Sequence, residues 1–338
     1  MSASSAPAIE AAVSTTQVRK WFRNGRTRIE AVAGIDLDIH RGEIYGLLGP
    51  NGAGKTTTLR MLTTLLPIDS GEASVAGVDV RRRPKEVRRR IGLVGQLGGT
   101  DLPATGRENL VLQGSLYGAS RAEAELRAAE LIDALELADF ADRFARTYSG
   151  GQRRRLEVAL GIMHRPDVLF LDEPTTGLDP QNRANLWAQL RTLRAAGTTI
   201  VLTTHYLEEA DALADRVAIV DHGRVVAEGS PQALKKQLAG DVVSVRPRSD
   251  GHTIEDLRDE LAREPFVTKT TVEGETIRLY VTDGARALPL VFDRLRGAGV
   301  LLESVSVSEP SLDDVFLQQT GRSLREPSAG SASQDAAA

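Results

Sequence analysis

Cysteine is absent from this 338-residue chain. That excludes disulfides, thiolate metal sites and a cysteine nucleophile, and it fits a cytosolic setting. Long apolar runs are also missing: no stretch of about eighteen consecutive apolar residues occurs, so no segment reads as a membrane-spanning helix. Lysine is scarce, supplying only six of the 42 basic residues, an imbalance we attribute to genome base composition. Basic charge does not dominate either, and a net charge of −4 argues against nucleic acid as a default partner. Met1 to Gln17 is rich in Ala and Ser, with neither a basic n-region nor an apolar h-region, so it reads as a tail and not a signal peptide. What remains, 41% hydrophobic and 26% charged, is a soluble globular composition with length for one large domain or two to three units.

The most informative stretch is Gly49-Pro50-Asn51-Gly52-Ala53-Gly54-Lys55-Thr56, which fits G-x-x-x-x-G-K-[ST]. It follows a short apolar run, Glu43 to Leu48, and precedes a helical pattern that Thr57 opens and Leu66 ends. Glycines let backbone N–H groups crowd a polyphosphate without a Cβ in the way. The helix start behind them adds unpaired donors and partial positive charge. Lys55 supplies a full charge for the β- and γ-phosphates, and the Thr56 hydroxyl suits Mg²⁺.

Further along, Thr16 to Phe22 and Ala31 to Ile39 read as two strands about a turn at Asn24-Gly25. Trp21 and Phe22 offer flat rings that suit a purine face as well as plain strand packing. Glu72 to Val80 reads as a strand pair, and the basic run Arg81 to Arg90 as a solvated helix face. The strand Ile91 to Val94 ends at Gln96, a polar amide where α/β sheets make ligand contacts. From Glu108 to Arg146 the pattern is helical, an insertion without strands of its own. Ser149, Gly150, Gly151 and Gln152 then introduce a helix with three arginines in its first turns. Those cations oppose the helix dipole, so an anion at that end would relieve the conflict.

Val168 to Leu171 is a buried-strand run that ends in two acids, Asp172 and Glu173. Asp172 suits a Mg²⁺ contact, as in other triphosphatases with this loop, and Glu173 suits polarising an attacking water. Gly177-Leu178-Asp179-Pro180 turns into another helix. Thr199 to Thr204 is the next buried strand, with His205 at its tip as a candidate γ-phosphate contact. A hairpin about His222-Gly223 and a helix from Pro231 to Leu238 close the domain.

In this order and spacing, the motifs resemble those of the ATP-binding cassette (ABC) ATPases over residues 17 to about 240. The resemblance implies an α/β fold, a P-loop NTPase of ABC ATPase type with a helical subdomain at about 97–165. It implies that Gly49 through Thr57 bind ATP, with Phe22 stacked on adenine and Trp21 as the alternative register. It assigns Mg²⁺ to Thr56, Gln96 and Asp172, with Gln96 also sensing water and the transport partner. Glu173 becomes the catalytic base, with His205 and Lys55 on the γ-phosphate. Ser149 to Gln152 would act in trans, completing the ATP site of a second copy, with Asp179 at the contact. Tyr148 stands where leucine is commoner, a minor departure.

Within the family, Thr105-Gly106-Arg107-Glu108-Asn109-Leu110, Tyr148-Ser149-Gly150-Gly151 and Phe170 to Pro180 look like the drug-export branch, and resemble the daunorubicin/doxorubicin-resistance ATP-binding proteins. That implies a homodimer of cassettes on a separate membrane permease, peripheral to the cytoplasmic face of the cell membrane, energising efflux of an anthracycline-like drug. The same motor could serve lipid, polysaccharide or sodium. A soluble cassette acting on nucleic acid is a further alternative, disfavoured by the acidic charge and by the lack of long heptads or a second cassette. An importer ATPase is a third, and the carboxy-terminal part lacks the run of short strands expected of the small barrels common there.

From Asp241 the order strand, helix, hairpin, helix, strand reads as β-α-β-β-α-β, the split βαβ arrangement. It predicts a small α+β accessory domain over 241–321, ending in a helix capped by Ser311, without a catalytic constellation. Residues 1–16 and 322–338 read as disordered tails.

Overall fold

The computed structural model describes residues 11–25, 27–96, 98–238, 240–248 and 253–321. These divide into two compact units, with the boundary between Glu228 and Gly229.

The first unit begins with β1 (Ala11–Asn24) and β2 (Thr27–His40), two long antiparallel strands. Next come β3 (Ile44–Leu48), α1 (Lys55–Leu62), β4 (Ser70–Val75), β5 (Val78–Asp79), α2 (Pro84–Arg90) and β6 (Ile91–Val94). Three helices are then inserted: α3 (Gly106–Leu116), α4 (Arg121–Ala134) and α5 (Gly150–Ile162). The unit continues through β7 (Val168–Asp172), α6 (Pro180–Ala195), β8 (Thr199–Thr204), α7 (Leu207–Leu213), β9 (Arg216–Asp221) and β10 (Arg224–Gly229).

Two sheets result, one ordered β2-β1-β4-β5 and the other β10-β9-β3-β8-β7-β6. In the larger sheet β3 pairs in parallel with β8 and β9, β8 with β7, and β7 with β6. Their carboxyl ends therefore share one edge, where open α/β sheets bind ligands. The central strands bury every residue. Alternate side chains enter opposite cores: Leu169, Leu171, Ile200 and Leu202 on one face, Val168, Phe170 and Val201 on the other. That two-sided burial is why these strands read as unbroken apolar runs.

The inserted helices start on capping boxes, Thr105 with Glu108, Ser120 with Glu123 and Ser149 with Gln152. Each such cap stabilises a helix start by about 1 kcal/mol.

The tail expected over 1–16 is corrected from Ala11 onward. Ala12 and Val13 are buried, and Val13 pairs with Ile39 on one side and Val75 on the other. Small side chains at this position sit inside a sheet, where backbone pairing supplies order that composition does not signal. The tail readings for 1–10 and 322–338 lie outside the described residues.

The second unit contains α8 (Pro231–Gln237), β11 (Asp241–Pro247), α9 (Ile254–Leu261), β12 (Val267–Glu273), β13 (Thr276–Val281), α10 (Gly284–Gly297), β14 (Leu302–Ser308) and α11 (Leu312–Thr320). Its antiparallel sheet runs β12-β13-β11-β14, the strand order of a split βαβ fold. Val243, Val245, Leu279, Val291 and Leu295 fill its core. Fully buried Asp314 accepts from Tyr280 Oη at 2.7 Å and meets Arg278 Nη2 at 3.0 Å, fastening α11 to β13. The helix at Pro231, expected to close the first domain, packs against α11 instead, so the division falls at Gly229 and not at 240. A seven-residue helix anchored by Leu234 has too little pattern to announce which core it joins.

Candidate active site

The tips of β3, β8, β7 and β6 carry the Gly49 loop, His205, the Asp172-Glu173 pair and Gln96 respectively. Parallel pairing alone brings these four sequence-distant motifs to one edge.

The loop is shaped by its glycines. Gly52 and Gly54 have φ of 79° and 104°, and a Cβ on Gly49 would run into Val220 O. Gly49 N donates to Thr204 O at 3.3 Å, and Gly223 N donates to Ala53 O at 2.8 Å. The loop is thus pinned to β8 and to the β9–β10 turn. Lys55 opens α1 and is 4% exposed, its Nζ donating to Gly49 O at 2.7 Å and Pro50 O at 2.9 Å. Burial holds the Lys55 ammonium below its ordinary pKa, opposed by the charges of Glu173 and Asp172.

Thr56 Oγ1 donates to Asp172 Oδ1 at 2.8 Å, and Thr203 Oγ1 donates to the same oxygen at 2.7 Å. Glu173 follows with φ of 47°, a left-handed backbone that costs a non-glycine residue about 1–2 kcal/mol. Its N–H donates to Thr203, at 3.2 Å to the carbonyl and 3.0 Å to the hydroxyl. Its Oε2 accepts from Thr176 Oγ1 at 3.2 Å and lies 3.4 Å from His205 Nδ1, at ion-pair range. The neighbouring His205 outweighs partial burial and keeps the Glu173 carboxyl below its usual pKa.

Gln96 and Glu173 line a cavity of about 490 Å³ together with Ala31 and the loop residues Asn51 to Thr57. Gln96 also lines a second cleft of about 490 Å³ with Leu65, Leu93, Gln113 and Glu157. Phe22 presents an exposed ring, whereas Trp21 lies beneath the Arg28 guanidinium at 3.9 Å.

Ser149, Gly150, Gly151, Gln152 and Asp179 do not line the loop's cavity. Ser149 and Gln152 cap α5 reciprocally, with Gln152 N donating to Ser149 Oγ at 3.3 Å. Asp179 caps α6 and accepts from Asn182 Nδ2 at 2.6 Å. Gly151 abuts that Asn182 side chain with no room for a Cβ, so the two helix starts are neighbours.

Two residues escaped sequence reasoning. Thr203 binds both acids of β7 through one hydroxyl; a threonine just before the strand-tip Thr204-His205 was the available signal. Arg154 is buried behind both acids, and nothing in the arginine run sets it apart from Arg153 or Arg155.

A G-x-x-x-x-G-K-[ST] loop sharing a cavity with the Glu173 carboxylate, and an acid, Asp172, hydrogen-bonded to the loop's Thr56, are features of a nucleoside-triphosphatase. The comparisons refine that class. Residues 32–176 match the ABC transporter family profile, and 229–320 match the C-terminal domain of DrrA1-3-like ATP-binding proteins. The chain is 46% identical to the daunorubicin resistance ATP-binding protein DrrA2 of Streptomyces coeruleorubidus, over 86% of this chain and 90% of the relative. It is 42% identical to the Nod factor export ATP-binding protein I of Burkholderia lata, over 90% and 98%. Among solved structures, a dimeric ATP-binding cassette bound to ADP and Pi superposes with a TM-score of 0.60 at 28% identity, covering 64% of this chain and 98% of that one. The chain belongs to the ABC transporter family, within its DrrA-like ATP-binding proteins. It binds nucleotide, and it is an ATPase that powers transport.

Proposed function

We propose that this chain is the ATP-hydrolysing subunit of an exporter, driving efflux of a hydrophobic anthracycline-like drug through a separate membrane permease. The observation that carries the catalytic half is the ionised Glu173 beside Lys55 in the cavity of the phosphate loop. Lys55, already desolvated and held by loop carbonyls, is a preset charge for β- and γ-phosphates. Glu173 accepts the proton of the attacking water, and His205 holds that carboxylate ionised and contacts the γ-phosphate.

Among the described residues no group of three or more His, Asp or Glu side chains is arranged to hold a metal. Mg²⁺ needs no such nest when phosphates and water supply most of its ligands. Thr56 Oγ1 and Asp172 Oδ1, 2.8 Å apart, fit it, with Gln96 as a further oxygen. When bound, Mg²⁺ neutralises charge building on the phosphates.

Several observations support the remaining roles. The more exposed ring of Phe22, with Lys20 Nζ 5.8 Å from its centroid against 3.9 Å for Arg28 over Trp21, favours it over Trp21 for adenine. The turn Ser149 to Gln152 does not line its own loop's cavity, which leaves it to complete the site of a second copy, with Asp179 on the neighbouring helix start; a related cassette is dimeric. Gln96, shared between the nucleotide cavity and the second cleft, would relay permease contact. Leu112, Leu116 and Tyr117 on and just after α3 add exposed apolar surface for that partner. No helix among the described residues is long and apolar enough to cross a membrane, which suits a peripheral subunit at the cytoplasmic face. The drug cargo rests on the resistance proteins among the relatives; the Nod factor export protein favours, as a second reading, a cargo other than a drug on the same motor.

Co-expression with its permease in a drug-sensitive host tests the cargo. Anthracycline resistance and energy-dependent efflux, lost in a Lys55→Ala variant, are expected. Active ATP hydrolysis without any change in anthracycline sensitivity would overturn the drug assignment.

A further inference from the structure

Arg154 lies in the first turns of α5, where a cation opposes the helix dipole, and it is only 8% exposed. Such burial is sustained only if acceptors surround the guanidinium. They do. Nε donates to Pro174 O at 2.8 Å, and Nη2 to Asp172 O at 3.3 Å. Nη1 donates to Gly95 O at 2.8 Å and to Glu157 Oε2 at 2.9 Å.

The identity of those carbonyls is the point. Asp172 and Pro174 flank Glu173, whose backbone is held at φ 47°. Gly95 immediately precedes Gln96. Glu157, the counter-charge, also abuts Gly98 on the far side of Gln96, leaving no space there for a Cβ. One side chain thus joins the helix that starts at Ser149 to the backbone on both sides of the base and to the glutamine segment.

We infer that Arg154 is a positioning residue for ATP hydrolysis: it clamps Glu173 in its left-handed backbone and ties the Gln96 segment to α5, so that the three move as one body. The inference rests on the roles proposed above for Glu173 and Gln96. A permease pushing on the Gln96 segment would, through this clamp, shift α5 and the catalytic acid together. Lysine cannot substitute, because a point ammonium cannot bond two chain segments and a carboxylate in the plane of a guanidinium fork.

The test uses the full chain with its permease in membrane vesicles, comparing Arg154→Lys, Arg154→Met and the double variant Arg154→Met/Glu157→Gln. The double variant leaves no buried unpaired charge and keeps the question answerable should the single variant fold poorly. Affinity for a fluorescent ATP analogue is expected within about threefold of the parent, with kcat down roughly 10- to 100-fold, as for a base misplaced by about 1 Å. Hydrogen exchange at Gly95–Gln96 and at Asp172–Thr175 should quicken while the rest of α5 is unchanged. Parent-like kcat and exchange in the double variant would overturn the clamp. So would equal losses of ATP affinity, kcat and thermal stability, which mean general packing. If the parent itself bound no ATP, the functional reading would fail, yet exchange at the two segments would still decide whether the tie exists.

Discussion

Thr203→Val is the sharpest probe of how the acids on β7 are held. Thr203 is fully buried, and its hydroxyl donates to Asp172 Oδ1 at 2.7 Å while accepting from Glu173 N at 3.0 Å. Valine keeps the shape and removes both bonds. The first is charge-assisted, so its loss from a buried carboxylate costs about 1.5–3 kcal/mol. The second is shared with Thr203 O at 3.2 Å, so Glu173 N keeps one acceptor and adds little to the total. A loss of about 2–3 kcal/mol corresponds to a fall in Tm of roughly 4–12 °C for a unit of this size. Asp172 would keep only Thr56 to orient it, so kcat should drop about tenfold or more while ATP affinity changes less. Thermal denaturation with and without nucleotide, beside steady-state ATPase rates, reads both effects. A Tm within about 1 °C of the parent, with kcat within about twofold, would refute the brace.

Other expectations follow from the same geometry. Lys55→Ala removes the buried charge proposed to meet the phosphates, so ATP binding and transport should both be lost in equilibrium binding and efflux assays; retained binding would count against the loop's role. Glu209 is fully buried on α7 beside Trp187 Nε1 at 3.3 Å, with Arg183 as the nearby cation, and burial raises its pKa. A carboxyl raised on folding stabilises below its unfolded pKa of about 4.3, and that contribution is lost as pH rises through the folded value. The Tm of Glu209→Gln minus that of the parent should therefore grow as pH rises above about 4.3; a flat difference would contradict the burial argument. Gly151→Ala should lower the Tm, because its methyl would push the Asn182 side chain off Asp179, and Asn182→Ala should relieve the defect; an unchanged Tm would count against that contact.

Much of this site was legible because its motifs are local. The glycine loop, the acid pair at a strand tip and the His205 tip each declare themselves within a few residues, and parallel pairing of β3, β8, β7 and β6 does the rest. What stayed hidden depends on distant partners. Thr203 reads as one more residue of a β-branched strand until the neighbouring strand supplies Asp172. Arg154 was read as part of an unsatisfied cationic helix start calling for an anion, whereas carbonyls from two other segments and Glu157 satisfy it. Ala11 to Thr16 looked like tail because their order comes from β2 and β4, not from their own composition. The accessory unit was readable for the opposite reason: the turn at Gly274 and the helix cap at Ser311 are local signals.

The central claim is that Glu173 is the base in an ATP site shared by two copies of the chain. Glu173→Gln keeps the size and hydrogen-bonding shape of the side chain while removing its charge. Light scattering of the purified variant with saturating ATP and Mg²⁺ should report a stable dimer that reverts to monomer when ATP is removed, with hydrolysis reduced at least about 100-fold. A variant that stays monomeric with ATP bound, or hydrolyses it at the parent rate, would contradict the account.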